Sequence, residues 1–260
     1  MLTLYFSGTG NSAYAAKLFS NKINAKCLSI EDDANFSAEI FAHDTIAFCY
    51  PIYGSRVPMI MRQFAVRHAP ELQGKKIIIF ATQMAFSGDG ARVFTDLFPK
   101  GHFDVIYADH LKMPNNMCNF ILQQPSNRSI KRRKEATEHK MNRICSNINN
   151  KIIKRRGFSV FARFMGSLQG KPWQGNSSTP DATEGTLESR SKTALKISDD
   201  CDVCGLCANV CPMKNLEIIS NKIAYKNNCT ICYRCVNLCP KQAITVFFHN
   251  KPKWQYKGIG

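Results

Sequence analysis

Eight cysteines crowd into residues 201–239 and repeat one spacing twice. Cys201, Cys204, Cys207 and Cys211 are followed by Pro212, and Cys229, Cys232, Cys235 and Cys239 by Pro240, so each copy reads C-x2-C-x2-C-x3-C-P. Three thiolates separated by two residues can converge on one cubane, while the fourth is carried away from it on a following helix. In the two-cluster arrangement with this spacing, each fourth Cys ligates the other cluster. Cys201, Cys204, Cys207 and Cys239 are therefore expected to hold one 4Fe–4S cluster, and Cys229, Cys232, Cys235 and Cys211 the second. Zinc also uses C-x2-C pairs, but tetrahedral zinc sites are built from two pairs, not from evenly spaced triplets with a displaced fourth Cys before Pro. The remaining four of the 12 Cys, at 27, 49, 118 and 145, are scattered singly and are expected to be small core residues.

A second chemical signature opens the chain. The strand-like run Leu2–Phe6 leads into Ser7-Gly8-Thr9-Gly10-Asn11-Ser12, and a helix is expected from about Ala13. A small, hydroxyl-rich loop between a strand and a helix N-terminus is an anion site, because its N–H groups and the helix dipole face the anion. The loop lacks the Lys of G-x-x-x-x-G-K-[ST], which disfavours nucleoside triphosphates, and it lacks the dinucleotide fingerprint G-x-G-x-x-G. A phosphate held only by hydroxyls and amides suits flavin mononucleotide, whose phosphate is an anchor and not a reactant.

These loops need rigid elements behind them. Leu2–Phe6, Thr45–Cys49, Ile77–Ala81 and Phe103–Ala108 are short, mostly continuous apolar runs, as expected of strands buried on both faces of a parallel sheet. Helical spacing fills Ala13–Lys22 and Pro58–Val66 between them. The alternation predicts an α/β fold with a doubly wound parallel sheet. Residues 128–165 read as helix, with Met141, Ile144, Ile148 and Ile152 on one face and a break at Gly157. Gln169 to Ser191, rich in Gly, Ser, Thr and Pro, reads as a loop. The expected division is residues 1–165 for the flavin-binding sheet with a basic helical extension from about 121, 166–194 for a linker, and 195–260 for a small α+β cysteine domain.

At the residues Ser7, Thr9, Gly10, Asn11 and Ser12 the first domain resembles the flavodoxin family, whose phosphate loop is [ST]-x-T-G-N-[ST]. The resemblance implies that the flavin ring is held by two further loops after strands. Here these are Tyr50-Pro51-Ile52-Tyr53-Gly54 and Thr82-Gln83-Met84-Ala85-Phe86-Ser87-Gly88-Asp89-Gly90. Pro51, Ile52, Tyr53, Gly54, Thr82, Gln83, Phe86, Ser87 and Gly88 are accordingly expected at the flavin, with Tyr53 or Phe86 stacking on the ring. The Trp common in long-chain flavodoxins is missing from these loops, since Trp173 and Trp254 lie elsewhere. The Cys module resembles bacterial two-cluster ferredoxins, also in Cys204-Gly205-Leu206-Cys207 and Cys239-Pro240-Lys241-Gln242-Ala243-Ile244. Together the two ends resemble flavodoxin–ferredoxin fusion proteins of anaerobes. That resemblance implies a flavin-to-cluster electron relay between one- and two-electron partners. The alternative is an FMN-dependent reductase of a small organic substrate fed by the clusters, although no His, Glu or Arg constellation marks a catalytic group.

Composition narrows the setting. The chain has 260 residues, 44% of them apolar, and a formal net charge of +16. No run of eighteen apolar residues exists, so no membrane span is expected. Met1 runs straight into a strand-like stretch without a basic leader or cleavage site, which predicts a reducing, cytoplasmic setting. Much of the charge sits in residues 121–165, where twelve Lys and Arg face two acidic residues. Without a nucleic-acid motif or interleaved aromatics, this segment fits a solvated face or a docking surface for an acidic redox protein better than a nucleic-acid site.

Overall fold

The computed structural model describes residues 1–119, 123–247 and 250–259. The first unit alternates β1 (Leu2–Tyr5), α1 (Asn11–Ile23), β2 (Lys26–Ser29), α2 (Phe36–Phe41), β3 (Thr45–Pro51), α3 (Met59–Arg67), α4 (Ala69–Leu72), β4 (Lys76–Gln83) and β5 (Asp104–Lys112). A 3-10 turn at Arg92–Leu97 precedes β5. Then follow α5 (Asn127–Asn149), β6 (Lys154–Arg155), α6 (Val160–Gln174) and α7 (Leu187–Ser191). The cysteine unit comprises β7 (Leu195–Ile197), α8 (Leu206–Val210), β8 (Leu216–Ile219), β9 (Lys222–Tyr225), α9 (Arg234–Leu238) and β10 (Ile244–Val246).

β1 to β6 form one parallel sheet in the order β2-β1-β3-β4-β5-β6. The apolar runs are continuous because both faces are covered. Along β3, Ile46, Phe48 and Tyr50 enter a core with Met61 and Phe64 of α3, while Ala47 and Cys49 enter the opposite core with Ala16 and Phe19 of α1 and Met141 and Ile144 of α5. The fold class is therefore the expected doubly wound α/β sheet with a small α+β cysteine domain behind it. Among the described residues, no helix is long and apolar enough to cross a membrane.

Three local expectations change. The strand read from Phe103 runs from Asp104 to Lys112. The helix expected over 128–165 stops at Asn149, and Lys151 takes a left-handed turn (φ 55°) into β6, which pairs with Tyr107 and Ala108. Ile152, placed by its spacing on the helix's apolar face, is half exposed. Part of the basic charge is thereby structural: the fully buried Asp109 carboxylate is met by Lys140 at 2.8 Å, Lys154 at 3.0 Å and Arg156 at 3.8 Å. The loop expected from Gln169 begins later, because α6 continues to Gln174 through Pro172. Gly166 and Gly170 are buried there, and tight packing overrides their poor helix propensity.

Candidate functional site

Strand order reverses between β1 and β3, where open α/β sheets bind ligands beyond the strand C-termini. A cavity of about 500 Å³ lies at this point. Such a volume falls in the range typical of ligand sites. Its lining includes Ser7, Thr9, Asn11 and Ser12 after β1, Pro51 ending β3 with Ile52, Tyr53 and Gly54 beyond it, and Thr82 and Gln83 ending β4. The structure thus brings together ten residues predicted from three separate loops.

The loop after β1 is pre-ordered. Gly10 N–H donates to Ser7 Oγ at 3.1 Å, Ser12 Oγ and Thr82 Oγ1 lie 2.7 Å apart, and Asn116 Nδ2 donates to Thr9 Oγ1 at 2.9 Å. α5 and α6 are capped by the Ser126 and Ser159 side chains, whereas α1 has no side-chain cap and starts from Gly10 in a left-handed turn (φ 98°). Its first N–H groups have no side-chain acceptor in the capping position, which favours an anion there.

Four cavity-lining residues carry buried polar atoms without a partner: Tyr53 Oη, Asn115 Nδ2, Trp173 Nε1 and Tyr233 Oη. Each unsatisfied buried group costs about 1–3 kcal/mol, so these four hydroxyl and N–H donors fit a polar, many-acceptor ligand such as a flavin nucleotide. The described lining contains no Lys, Arg, His, Asp or Glu.

Gly10, Phe86, Ser87 and Gly88 do not line the cavity. Phe86 is half exposed. Gly88 packs under α6, where an added methyl would collide with the Gly166 backbone. Ser87 lies behind Gln83. Ala91 N–H donates to His110 Nε2 at 3.1 Å, so the His110 proton is on Nδ1, facing Ser87 Oγ at 3.3 Å, and Ser87 in turn donates to Gln83 Oε1. This chain fixes the Gln83 amide at the cavity edge. Burial holds the His110 imidazole neutral, lowering its pKa to about 4.

Leu187, Ile231, Tyr233 and Phe247 also line the cavity without having been predicted there, and two further missed contributors stand out. Trp173, in the last turn of α6, covers Gly54, where any side chain would collide with its ring and φ is +53°. Its signal was a Trp in an otherwise small-residue stretch. The other is the run Met113-Pro114-Asn115-Asn116-Met117 after β5, whose Pro-Asn-Asn composition at a strand end was a readable loop signal.

The cysteine unit repeats in conformation as well as sequence. Left-handed backbone occurs at Val203 and Ile231, at Gly205 and Tyr233, and at Lys214 and Gln242, each pair separated by the same offset as α8 and α9. These turns curl each triplet back on itself, an unfavourable state for β-branched Val and Ile that the surrounding structure holds. Cys201, Cys204, Cys207 and Cys239 line one small apolar space with Leu206, Ile223 and Ile244. Cys211 is in turn an electrostatic neighbour of Cys229, Cys232 and Cys235. Asn215 N–H donates to Cys211 Sγ at 3.3 Å and, in the matching position, Ala243 N–H to Cys239 Sγ at 3.4 Å. Burial, reinforced by neighbouring thiols, pushes Cys229 up to about 11, Cys232 up to about 12 and Cys235 well above the ordinary thiol range. A metal centre entering this set displaces protons that the free thiols would keep.

The two sites share a wall. Ile231 and Tyr233 line the cavity on either side of Cys232, whose backbone packs so closely on Gly8 that an added methyl would collide with the Cys232 carbonyl. Arg234 donates to the carbonyls of Ser7 at 2.7 Å, Gly8 at 3.1 Å and Val210 at 2.9 Å, and pairs with Glu31 at 2.6 Å.

Fold and site together define a flavodoxin-type sheet joined to an iron–sulfur module. Residues 2–122 match the family described as Flavodoxin domain, and residues 194–245 the family described as 4Fe-4S dicluster domain. The chain carries these two domains in sequence, as a flavodoxin–ferredoxin fusion does. Similar solved structures include the two-electron reduced flavodoxin of Megasphaera elsdenii, with 22% identity over 54% of this chain and 99% of that one and a TM-score of 0.38. Oxidised Flavodoxin 2 of Bacillus cereus shows 16% identity over 58% of this chain and 97% of that one, TM-score 0.41. General stress protein 14 of Treponema denticola, in complex with FMN, shows 10% identity over 56% and 97%, TM-score 0.38. A search of curated proteins finds no match to this chain.

Proposed function

We propose that this protein is a cytoplasmic electron carrier that holds FMN at the β1/β3 cavity and two 4Fe–4S clusters, one on Cys201, Cys204, Cys207 and Cys239 and one on Cys229, Cys232, Cys235 and Cys211. When bound, a flavin exchanges one or two electrons and each cluster one, which links two-electron to one-electron partners. The observation that carries this reading is the shared wall: a cluster-type ligand, Cys232, sits between two cavity-lining residues and against the phosphate loop.

The chain's own residues divide the work. Ser7, Thr9, Asn11 and Ser12 with the first turn of α1 would hold the phosphate. Tyr53, Asn115, Trp173 and Tyr233 would supply the ring and ribityl contacts, and Trp173 shields that side from water. The Asn215 and Ala243 N–H groups, bonded to the Cys211 and Cys239 sulfurs, would stabilise negative charge there, a determinant of a bound cluster's potential. Exposed Arg128, Lys131 and Arg132 of α5 suit encounter with an acidic redox protein.

Flavin, iron and acid-labile sulfide per chain, measured on protein purified without oxygen, test this directly. About one FMN with about eight iron and eight sulfide is expected. Iron without flavin, even after FMN is supplied, overturns the flavin assignment, and about four iron overturns the second cluster. Cys211→Ala should impair only the cluster on the second triplet, so equal loss from both would refute the crossed ligation.

A further inference from the structure

Helix α6 is built inside out. Its protein-facing side is small: a methyl group at Gly166 would collide with the Asp89 carboxylate, and one at Gly170 with the Arg56 guanidinium. Its large apolar side chains point away. Val160 is 83% exposed, Phe161 70%, Phe164 60% and Leu168 55%. At 3.6 residues per turn these four share one arc of about 100°, on the side opposite the two glycines. A surface helix of a globular protein normally turns such a stripe toward the core.

The surroundings are cationic. No Asp or Glu occurs between His139 and Pro180. Arg163 flanks the stripe and shares a groove with Arg155, and Lys171 follows Leu168 on the same side. Of the acidic groups lining the adjoining grooves, Asp89 and Asp96 are engaged by Arg92, at 2.7 and 2.6 Å, and Asp104 by Arg155, at 3.0 Å.

An exposed ridge of Phe, Leu and Val bordered by Arg and Lys is the form of a helix that lies in a lipid interface, and its 15 residues are too few to span a bilayer. A second copy seated here would bring Arg163 and Lys171 against their own counterparts without acids to pair with. A folded acidic protein would need a groove matching a convex ridge three turns long, whereas a headgroup layer deforms around it. We propose that α6 rests the protein on a membrane surface rich in anionic lipids. Phe161 and Phe164 enter the boundary between headgroups and acyl chains, and Arg163 and Lys171 meet lipid phosphates. This attachment does not depend on which cofactors are bound.

Sedimentation of the full chain with its cofactors against phosphatidylglycerol–phosphatidylcholine vesicles, with pure phosphatidylcholine vesicles as the comparison, tests it. Binding to the anionic vesicles should exceed that to the neutral ones by about tenfold or more and fall steeply with salt. Phe161→Ser with Phe164→Ser should lower it about tenfold without shifting Tm, since both side chains are exposed. Absent binding to anionic vesicles, or equal binding by wild type and variant, overturns the proposal. So does a dimer in sedimentation velocity that the same double substitution dissolves, which assigns the ridge to a second copy. Saturable binding of an acidic two-cluster ferredoxin, lost in the variant and without vesicle binding, assigns it to a protein.

Discussion

Arg234 shows how one side chain joins two chemistries. It lies between Cys232 and Cys235 of the second Cys triplet, and its guanidinium satisfies carbonyls of the phosphate loop and of α8 while pairing with Glu31. Arg234→Ala removes these charge-assisted bonds and strands their partners, so it should cost about 2–3 kcal/mol in urea unfolding and weaken flavin binding. Unchanged flavin affinity would show that the loop does not need the clamp. His110 gives a pH signature. Its folded pKa of about 4 lies below the ordinary 6.5 because burial disfavours the imidazolium. The unfolded chain therefore binds a proton first as pH falls, and the stabilisation present above pH 6.5 is lost progressively toward pH 4, to the extent of about 3 kcal/mol. His110→Gln should flatten the stability–pH curve across that window. At this scale the cysteine module was legible, because its repeated spacing is local in the sequence. Trp173 was not, because nothing local to a helix end says which cavity it will reach.

Among elements, the instructive case is the stretch from α6 to α7. Its composition reads as a loop, yet Arg62 of α3 is buried in an ion pair with Glu188 of α7 at 2.9 Å and also donates to the Pro180 carbonyl at 2.8 Å. Removing one member of a buried pair leaves an uncompensated charge, so Glu188→Ala should destabilise by about 3–5 kcal/mol in urea melts. A cost below about 1 kcal/mol would mean that this segment is not anchored through α7. The parallel strands were readable because burial on both faces writes continuous apolar runs. β2 and β6 escaped for the opposite reason, as edge strands with exposed or charged residues such as Lys26 and Lys154. Three of the nine ring-loop residues, Phe86, Ser87 and Gly88, lie off the cavity because the chain beyond Met84 turns away from it to meet α6.

For the molecule as a whole, the two domains interlock instead of hanging on a tether. Cys232 packs in one core of the sheet, Ile259 in the other, and Asn237 Nδ2 donates to the Asn116 carbonyl at 3.0 Å. Denaturant titrations followed by flavin fluorescence and by cluster absorbance should therefore trace a single coincident transition. Two separated midpoints would show independent domains.

The segment that reaches Ile259 also closes on the phosphate loop: Tyr256 Oη donates to Asn11 Oδ1 at 2.6 Å, and Gly258 lies against Gly10. These partners leave the ribosome far apart in time. At about 5–20 residues per second, Asn11 is made some tens of seconds before Tyr256. The sheet can condense during synthesis, but the loop at its mouth gains its last hydrogen bond only after the iron–sulfur module has been made. Translation thus imposes an order of maturation, in which the first sequence signature of the chain is the last to be finished.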